Sequence, residues 1–279
     1  MSAGAARAIA SWVAAAQRLE GWAPTPDETT ALVDLAAEDI TVQDYLAQCR
    51  HRYVEAEPPR SPVLARRRPY LIRGTDVLQN NLGLHTQRVL TSAEHAISAG
   101  RAVRLLAAPP GTVDVTDVHR SLFADVYPWA GEPRTIEIAK PGVRFRAVDE
   151  LDAGLARVHR DVAEAWVCAA GYDRTAMAHR LAQIYADYNH VHPFREGNGR
   201  TGTLVLQLIA MRAGLWLDLS GISRDEWVGA SRESIERATI VGPAAEPLRA
   251  LFEPVLVERG AGPSAAKRRT GWIYAPGGI

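Results

Sequence analysis

Apolar side chains recur at helical spacing along most of the 279 residues. Near the start, Ile9, Trp12, Val13, Ala16 and Leu19 fall on one helical face, and Gly21 follows where such a helix would stop. Thr25-Pro26-Asp27-Glu28 supplies an N-cap, a first-turn proline and acids favoured by the helix dipole. Thr41-Val42-Gln43-Asp44 opens a third helix carrying Tyr45 and Leu46. Three such short helices cannot bury a sufficient core alone, so they are expected to pack on a larger neighbour. Further on, Leu151, Leu155, Val158, Val162 and Trp166 share a face within residues 149–166. Met177, Leu181, Ile184, Tyr185 and Tyr188 do the same within residues 175–189. Residues 200–212 are apolar nearly all round, which predicts a helix in the middle of a bundle. Ser223-Arg224-Asp225-Glu226 has the capping-box pattern ahead of Trp227.

Strand-like alternation is scarce. Thr135 to Lys140 and Val143 to Arg146 flank Pro141-Gly142 and predict one isolated hairpin. The fold class is therefore mainly α, a helical bundle with a small β-hairpin, preceded by a short three-helix module.

Charge distribution supports that division. Residues 1–57 carry four Lys or Arg against nine Asp or Glu, whereas residues 58–73 carry five arginines, four prolines and no acid. Prolines at that density forbid a continuous helix. The expected domains are an acidic helical module at 1–57, a Pro/Arg-rich linker at 58–69, a larger domain at 70–258 and a loose tail at 259–279. Over the whole chain 32 basic residues balance 32 acidic ones, so no general basic field exists to hold nucleic acid, and no direct nucleic-acid binding is expected. The longest apolar run, residues 204–211, is interrupted by Gln207 and too short to span a bilayer. The N-terminal segment reads as an amphipathic helix rather than a signal peptide. With only Cys49 and Cys168, a disulfide framework is excluded, and a cytoplasmic location is expected.

Between the two strongest helices lies His192-Pro193-Phe194-Arg195-Glu196-Gly197-Asn198-Gly199-Arg200. Gly197 and Gly199 flank Asn198 at the start of a long helix, where exposed backbone N–H groups favour an anion, particularly phosphate. Asn198 adds an amide donor and Arg200 a guanidinium fork. Glu196 has no use on a bare anion but suits Mg²⁺ accompanying a polyphosphate. His192 can accept a proton near neutral pH, and Phe194 is expected to anchor the loop in the core. A base, a metal carboxylate and an anion cradle within nine residues describe phosphoryl or nucleotidyl transfer to a hydroxyl. A His192 alone is more often a helix-capping residue. The full pattern is a chance event of roughly one chain per million.

These residues resemble the HxFx(D/E)GNGR motif of Fic (Fido) proteins. The resemblance extends from about Tyr70 to about Phe252, through Tyr70-Leu71-Ile72-Arg73-Gly74-Thr75, Leu78-Gln79-Asn80-Asn81-Leu82-Gly83 and Phe123-Ala124-Asp125-Val126-Tyr127-Pro128-Trp129-Ala130-Gly131. It implies a Fic-type helical bundle with a hairpin flap, and transfer of AMP from ATP to a Ser, Thr or Tyr hydroxyl of a target protein. By the resemblance His192 is the base and Glu196 holds Mg²⁺. Phe194, Arg195, Gly197, Asn198, Gly199 and Arg200 form the nucleotide site, and Ile136, Glu137, Ile138, Ala139 and Lys140 form the target-docking flap. Family members of this kind often modify type II topoisomerase subunits, a target implied by resemblance alone.

Two positions depart from the family pattern. A second arginine, which grips the γ-phosphate in the family, is replaced here by Thr203. Fic toxins are commonly silenced by an inhibitory helix with the motif (S/T)xxxE(G/N). Ala16-Gln17-Arg18-Leu19-Glu20-Gly21 matches it except at Ala16, so residues 1–57 resemble an antitoxin joined to its toxin, making an intramolecular contact with Glu20 as the inhibitory residue. Without the second arginine, Glu20 would act by charge and exclusion or pair with another arginine. Thr203 leaves a weakly catalytic binding module, or a different nucleotide preference, as competing readings. Gly197 to Gly202 also satisfies GxGxxG, but a helix rather than a strand precedes it, which rejects a dinucleotide fold. A zinc site at His190, His192 and His179 is disfavoured by Pro193.

Overall fold

A computed structural model describes residues 1–55, 68–140, 142–240 and 242–258. Most of the expected linker and the whole expected tail lie outside the described residues.

The acidic module forms α1 (Ala3–Leu19), α2 (Pro26–Ala37) and α3 (Val42–Arg52). Ser2 caps α1, while Thr25–Glu28 and Thr41–Asp44 form reciprocal capping boxes that satisfy backbone N–H groups at the starts of α2 and α3. After α1, Glu20 closes the last turn and Gly21 turns the chain with φ 92°. All three helices pack on α4 (Gln87–Ala107), the longest helix of the fold. Ile9, Trp12, Val13 and Leu19 of α1 are buried, each contributing roughly 1.5–3 kcal/mol relative to exposure. The Trp12 indole N–H also donates to the Leu217 carbonyl at 2.7 Å. The module is thus part of one continuous core with the larger domain.

In the larger domain, α5 (Val115–Phe123) and α6 (Leu151–Cys168) flank α7 (Arg174–Val191) and α8 (Asn198–Arg212). Helix α8 is buried along nearly its whole length, as its apolar circumference predicts. At Gly202 a Cβ would lie 2.8 Å from the rings of both Tyr185 and Tyr188, so the missing side chain lets α7 and α8 approach closely. Helices α9 (Arg224–Glu236) and α10 (Glu246–Phe252) cover the far side of α7, and Ser223 and Glu226 form the expected capping box.

The hairpin is shorter than expected. Only β1 (Ala139–Lys140) and β2 (Val143–Arg144) pair, although the pattern predicted strands over 135–140 and 143–146. Arg134 explains the difference, because its guanidinium takes the carbonyls of Ile136 and Arg146, removing both from a ladder. The Glu137 carboxylate likewise accepts the Val148 N–H at 2.8 Å. A second antiparallel pair, β3 (Leu215–Leu217) with β4 (Leu256–Glu258), was not expected from the pattern. Helices α4, α5 and α10 also have no specific counterpart among the expected elements.

The module docks through a close approach at Gly100. A Cβ there would overlap the Tyr45 ring of α3, whose hydroxyl donates to the Ala96 carbonyl at 2.9 Å. Gly100→Ala should therefore destabilise the protein by about 1–3 kcal/mol and lower the thermal midpoint by roughly 2–4 °C per kcal/mol. Hydrogen exchange should rise first in α3. An unchanged midpoint would show that Tyr45 does not hold α3 in place.

Candidate active site

The motif loop is shaped by two residues in the left-handed region. His192 ends α7 with φ 47° and ψ 59°, and Gly197 precedes α8 with φ 81°. Position 197 accepts only glycine for a further reason, since a Cβ would run into the Phe123 ring. Phe194 is fully buried, as expected, and stacks on His119 with ring centroids 3.8 Å apart. His119 accepts the Gly131 N–H at Nδ1 (2.8 Å), so its Nε2–H donates to the Glu196 carbonyl at 3.0 Å. Burial pushes its pKa down to about 3, which keeps the ring in this neutral, two-sided role. His119 was not anticipated from the sequence.

Asn198 is used differently from the sequence expectation. Its amide oxygen accepts the Phe194 N–H at 3.0 Å, and its amide nitrogen donates to the Phe194 carbonyl at 2.8 Å. These two bonds clamp the loop, so the side chain is committed chiefly to shaping the turn. The Tyr188 hydroxyl holds the Asn198 carbonyl at 3.0 Å.

His192 stacks on Phe145 with centroids 3.8 Å apart and is 8% exposed. Its Nδ1 lies 3.3 Å from the Asn189 carbonyl, which makes Nδ1 the protonated nitrogen and leaves the Nε2 lone pair available. Burial lowers its pKa to about 3, with Lys140 and Arg134 adding to the effect. Arg134 positions this segment. Its side chain is fully buried, its Nε donates to the His192 carbonyl at 3.0 Å, and its backbone N–H donates to the Pro193 carbonyl at 2.7 Å. One guanidinium thereby joins the motif loop to both limbs of the hairpin. Nothing in the sequence pattern singled it out.

Arg200 also differs from expectation. Rather than standing free as a fork, it is buried in an ion pair with Glu94 of α4 and lies 4.8 Å from the Phe123 ring centroid. The Tyr127 hydroxyl donates to the same carboxylate at 2.6 Å. Burial raises the Glu94 pKa while Arg200 opposes that rise. Arg200 further donates to Ser98 Oγ at 3.3 Å, and Gln17 of α1 reaches the same hydroxyl. The Gln17 carbonyl oxygen sits 2.6 Å from His95 Nδ1. A polar chain thus runs from α1 through α4 to the first turn of α8.

The cleft beside this loop has a volume of about 470 Å³. It brings together the expected residues His192, Arg195, Glu196, Asn198 and Gly199, the expected flap residues Ile136 to Lys140, and Glu20. Phe194, Gly197 and Arg200 lie outside its lining: Phe194 in the core, Gly197 against the Phe123 ring and Arg200 beneath the floor. The Glu196 side chain is 44% exposed, with Oε1 accepting the Gly197 N–H at 3.0 Å and lying 3.6 Å from Arg200. A single carboxylate open to an anion site fits the needs of Mg²⁺ on a polyphosphate. Among the described residues no group of three or more metal-ligating side chains gathers anywhere.

Glu20 lies directly against the anion cradle. A Cβ on Gly199 would overlap its carboxylate. Burial raises the Glu20 pKa, against the lowering pull of Arg200, Lys140 and Arg224. Thr203, on the same helix, is 1% exposed and donates back to the carbonyls of Gly199 and Arg200, both at 3.1 Å. It faces Trp12, Val13, Ala16 and Gln17 across a void of only about 10 Å³. One face of α9, with Arg224, Val228, Ser231, Arg232 and Ile235, forms the remaining wall of the cleft and was not anticipated.

The Fic/DOC family pattern matches residues 111–210. A Sinorhizobium fredii protein named "Probable protein adenylyltransferase y4lH" is 32% identical over 165 residues, covering 58% of this chain and 85% of that protein. The chain belongs to the Fic/DOC family. A Salmonella typhimurium relative, "Probable protein adenylyltransferase Fic", is 29% identical over 194 residues, 69% of this chain and 94% of the relative. In fold, the chain resembles the Bartonella tribocorum effector BepC with bound AMPPNP (TM-score 0.57, 22% identity, 68% of this chain and 96% of that one). It also resembles a Bartonella quintana Fic domain with bound ADP (TM-score 0.58, 24% identity, 68% and 95%). Among the described residues no helix is long and apolar enough to cross a membrane.

Two outcomes follow from the packing. The imidazoles of His95, His119 and His192, held at about 2, 3 and 3, should stay neutral down to pH 5. An unperturbed histidine titrates near pH 6.5 and would be mostly protonated there. Imidazole NMR shifts over pH 5–8 check this, and a midpoint near 6.5 for His192 would show a hydrated ring. Thr203→Arg, which forces a guanidinium into the closed seam with α1, should cost about 1–3 kcal/mol. Calorimetry reads that loss, and an unchanged midpoint would refute the tight packing.

Proposed function

We propose that this cleft transfers AMP from ATP to a Ser, Thr or Tyr hydroxyl of a target protein, and that α1 holds it inactive through Glu20. The reading rests on one observation above all: the Glu20 carboxylate lies against Gly199, at the N-terminal turn of α8, in the same cleft as His192. The Glu20 carboxyl group occupies the place where the fold favours an anion. Phosphates entering that turn would have to displace it.

In the reaction, His192 Nε2 takes the proton of the target hydroxyl as its oxygen bonds to the α-phosphorus, and the bond to the β-phosphate bridging oxygen breaks to release pyrophosphate. The Asn189 carbonyl fixes the tautomer that makes Nε2 the acceptor. A low pKa for the resting ring keeps the base form available at neutral pH. The N–H groups at the start of α8 face the phosphates, and buried Arg200 adds positive field from below although Glu94 partly neutralises it. Glu196 would hold Mg²⁺, which supplies charge neutralisation on the phosphates when bound. Backbone at 137 and 138, which the β1–β2 ladder does not use, can receive an extended target segment by strand addition, bringing its hydroxyl towards His192.

The test is incubation of cell lysate with Mg²⁺ and ATP labelled at the α-phosphate. Glu20→Gly should label protein at least tenfold above wild type, and Glu20→Gly/His192→Ala should return to background. Absence of label in every variant would favour a binding module over an enzyme.

A further inference from the structure

The positive charge that the family motif supplies at position 203 has no route into this cleft from Thr203. The site is closed by α1 and α4, its hydroxyl is turned back onto its own helix, and the facing residue is the small Ala16. A cation for the distal phosphates of ATP must come from another element lining the cleft. Resting on the adenylylation reading above, we infer that Arg224, at the start of α9, binds the ATP phosphates farthest from His192.

Glu20 marks the anion position, and the charges that act on it identify the cations facing that position. They are Arg200, Lys140 and Arg224. Arg200 is already paired with buried Glu94. Lys140 Nζ lies 5.9 Å from the centroid of the Phe145 ring, which stacks on His192, and this puts it towards the reacting end of the cleft. Arg224 lines the cleft from the start of α9, beside the end of α1 that carries Glu20. Its Nε comes within 3.7 Å of a Cβ built on Gly21, the residue next to Glu20. Arg195 and Arg232 also line this cleft.

Helix energetics point the same way. Arg224 is the first residue of α9, exposed, where a cation opposes the helix dipole. The neighbouring Asp225 and the Ser223–Glu226 capping box already serve the helix end. The arginine gains nothing from the helix dipole at this position, and its side chain lines the cleft. With Glu20 in place the same guanidinium faces the carboxylate, so one arginine would meet the resting anion and the nucleotide in turn.

The experiment uses full-length Glu20→Gly protein and measures ATP and AMP binding by calorimetry with Mg²⁺ present. Adding Arg224→Gln should weaken ATP about tenfold or more, as expected for loss of a hydrogen bond to a charged group. AMP binding should stay within twofold, and Arg224→Lys should recover part of the loss. The thermal midpoint should not fall. Unchanged ATP affinity, or equal weakening of ATP and AMP, would overturn the assignment. The labelling assay separates this from the wider reading. Label that depends on His192 but survives Arg224→Gln at unchanged KM for ATP removes Arg224 alone. No label in Glu20→Gly removes the adenylylation reading, while selective loss of ATP over AMP binding would still assign Arg224 to the distal phosphates.

Discussion

A guanidinium withdrawn from water has to be matched by negative charge close by, and Arg200 imposes that demand at the centre of this fold. Glu94 meets it, and Tyr127 holds Glu94 in turn. Helix α4 must therefore cross under the first turn of α8, and its polar face must point inward. Ser98 extends the same network to Gln17, and His95 extends it further. The N-terminal module is thus attached by polar bonds that begin at the motif itself, as well as by apolar burial. Removing either carboxylate or guanidinium alone would leave an unmatched buried charge, which costs several kcal/mol.

The motif loop depends on side chains whose polar groups are bonded within the protein. Arg134 carries the carbonyls of Ile136, Arg146 and His192, so one side chain ties the hairpin to His192. His119 supports Phe194 on one face and the Glu196 carbonyl at its edge. Asn198 closes the loop on itself. A position inside such a motif can therefore act through loop shape while its neighbours face the cleft.

Much of this was legible from the chain. The periodicity of α1, α6, α7 and α8 and the capping residues Thr25, Thr41 and Ser223 gave those elements directly, because their apolar faces are uninterrupted. Helix α4 was not legible because Glu94, His95 and Ser98 occupy its buried face and break the apolar pattern. The hairpin was over-extended because alternation cannot reveal that a distant arginine takes the carbonyls. The cleft residues His192, Arg195, Glu196, Asn198 and Gly199 were found as a cluster, since their chemistry is local in sequence. Arg134, His119 and the α9 wall escaped notice because each becomes relevant only through contacts across tens of residues. Arg200 was identified but its partner was not, for the same reason.

The helix bearing Glu20 and the cleft it enters belong to one polypeptide, joined through residues 56–67. A tethered segment meets its site at an effective concentration fixed by the chain, independent of how much protein is present. Dilution cannot empty the cleft, and neither can an imbalance between two separately made components. Occupancy can change only if something competes for the anion position or alters the free energy of helix docking.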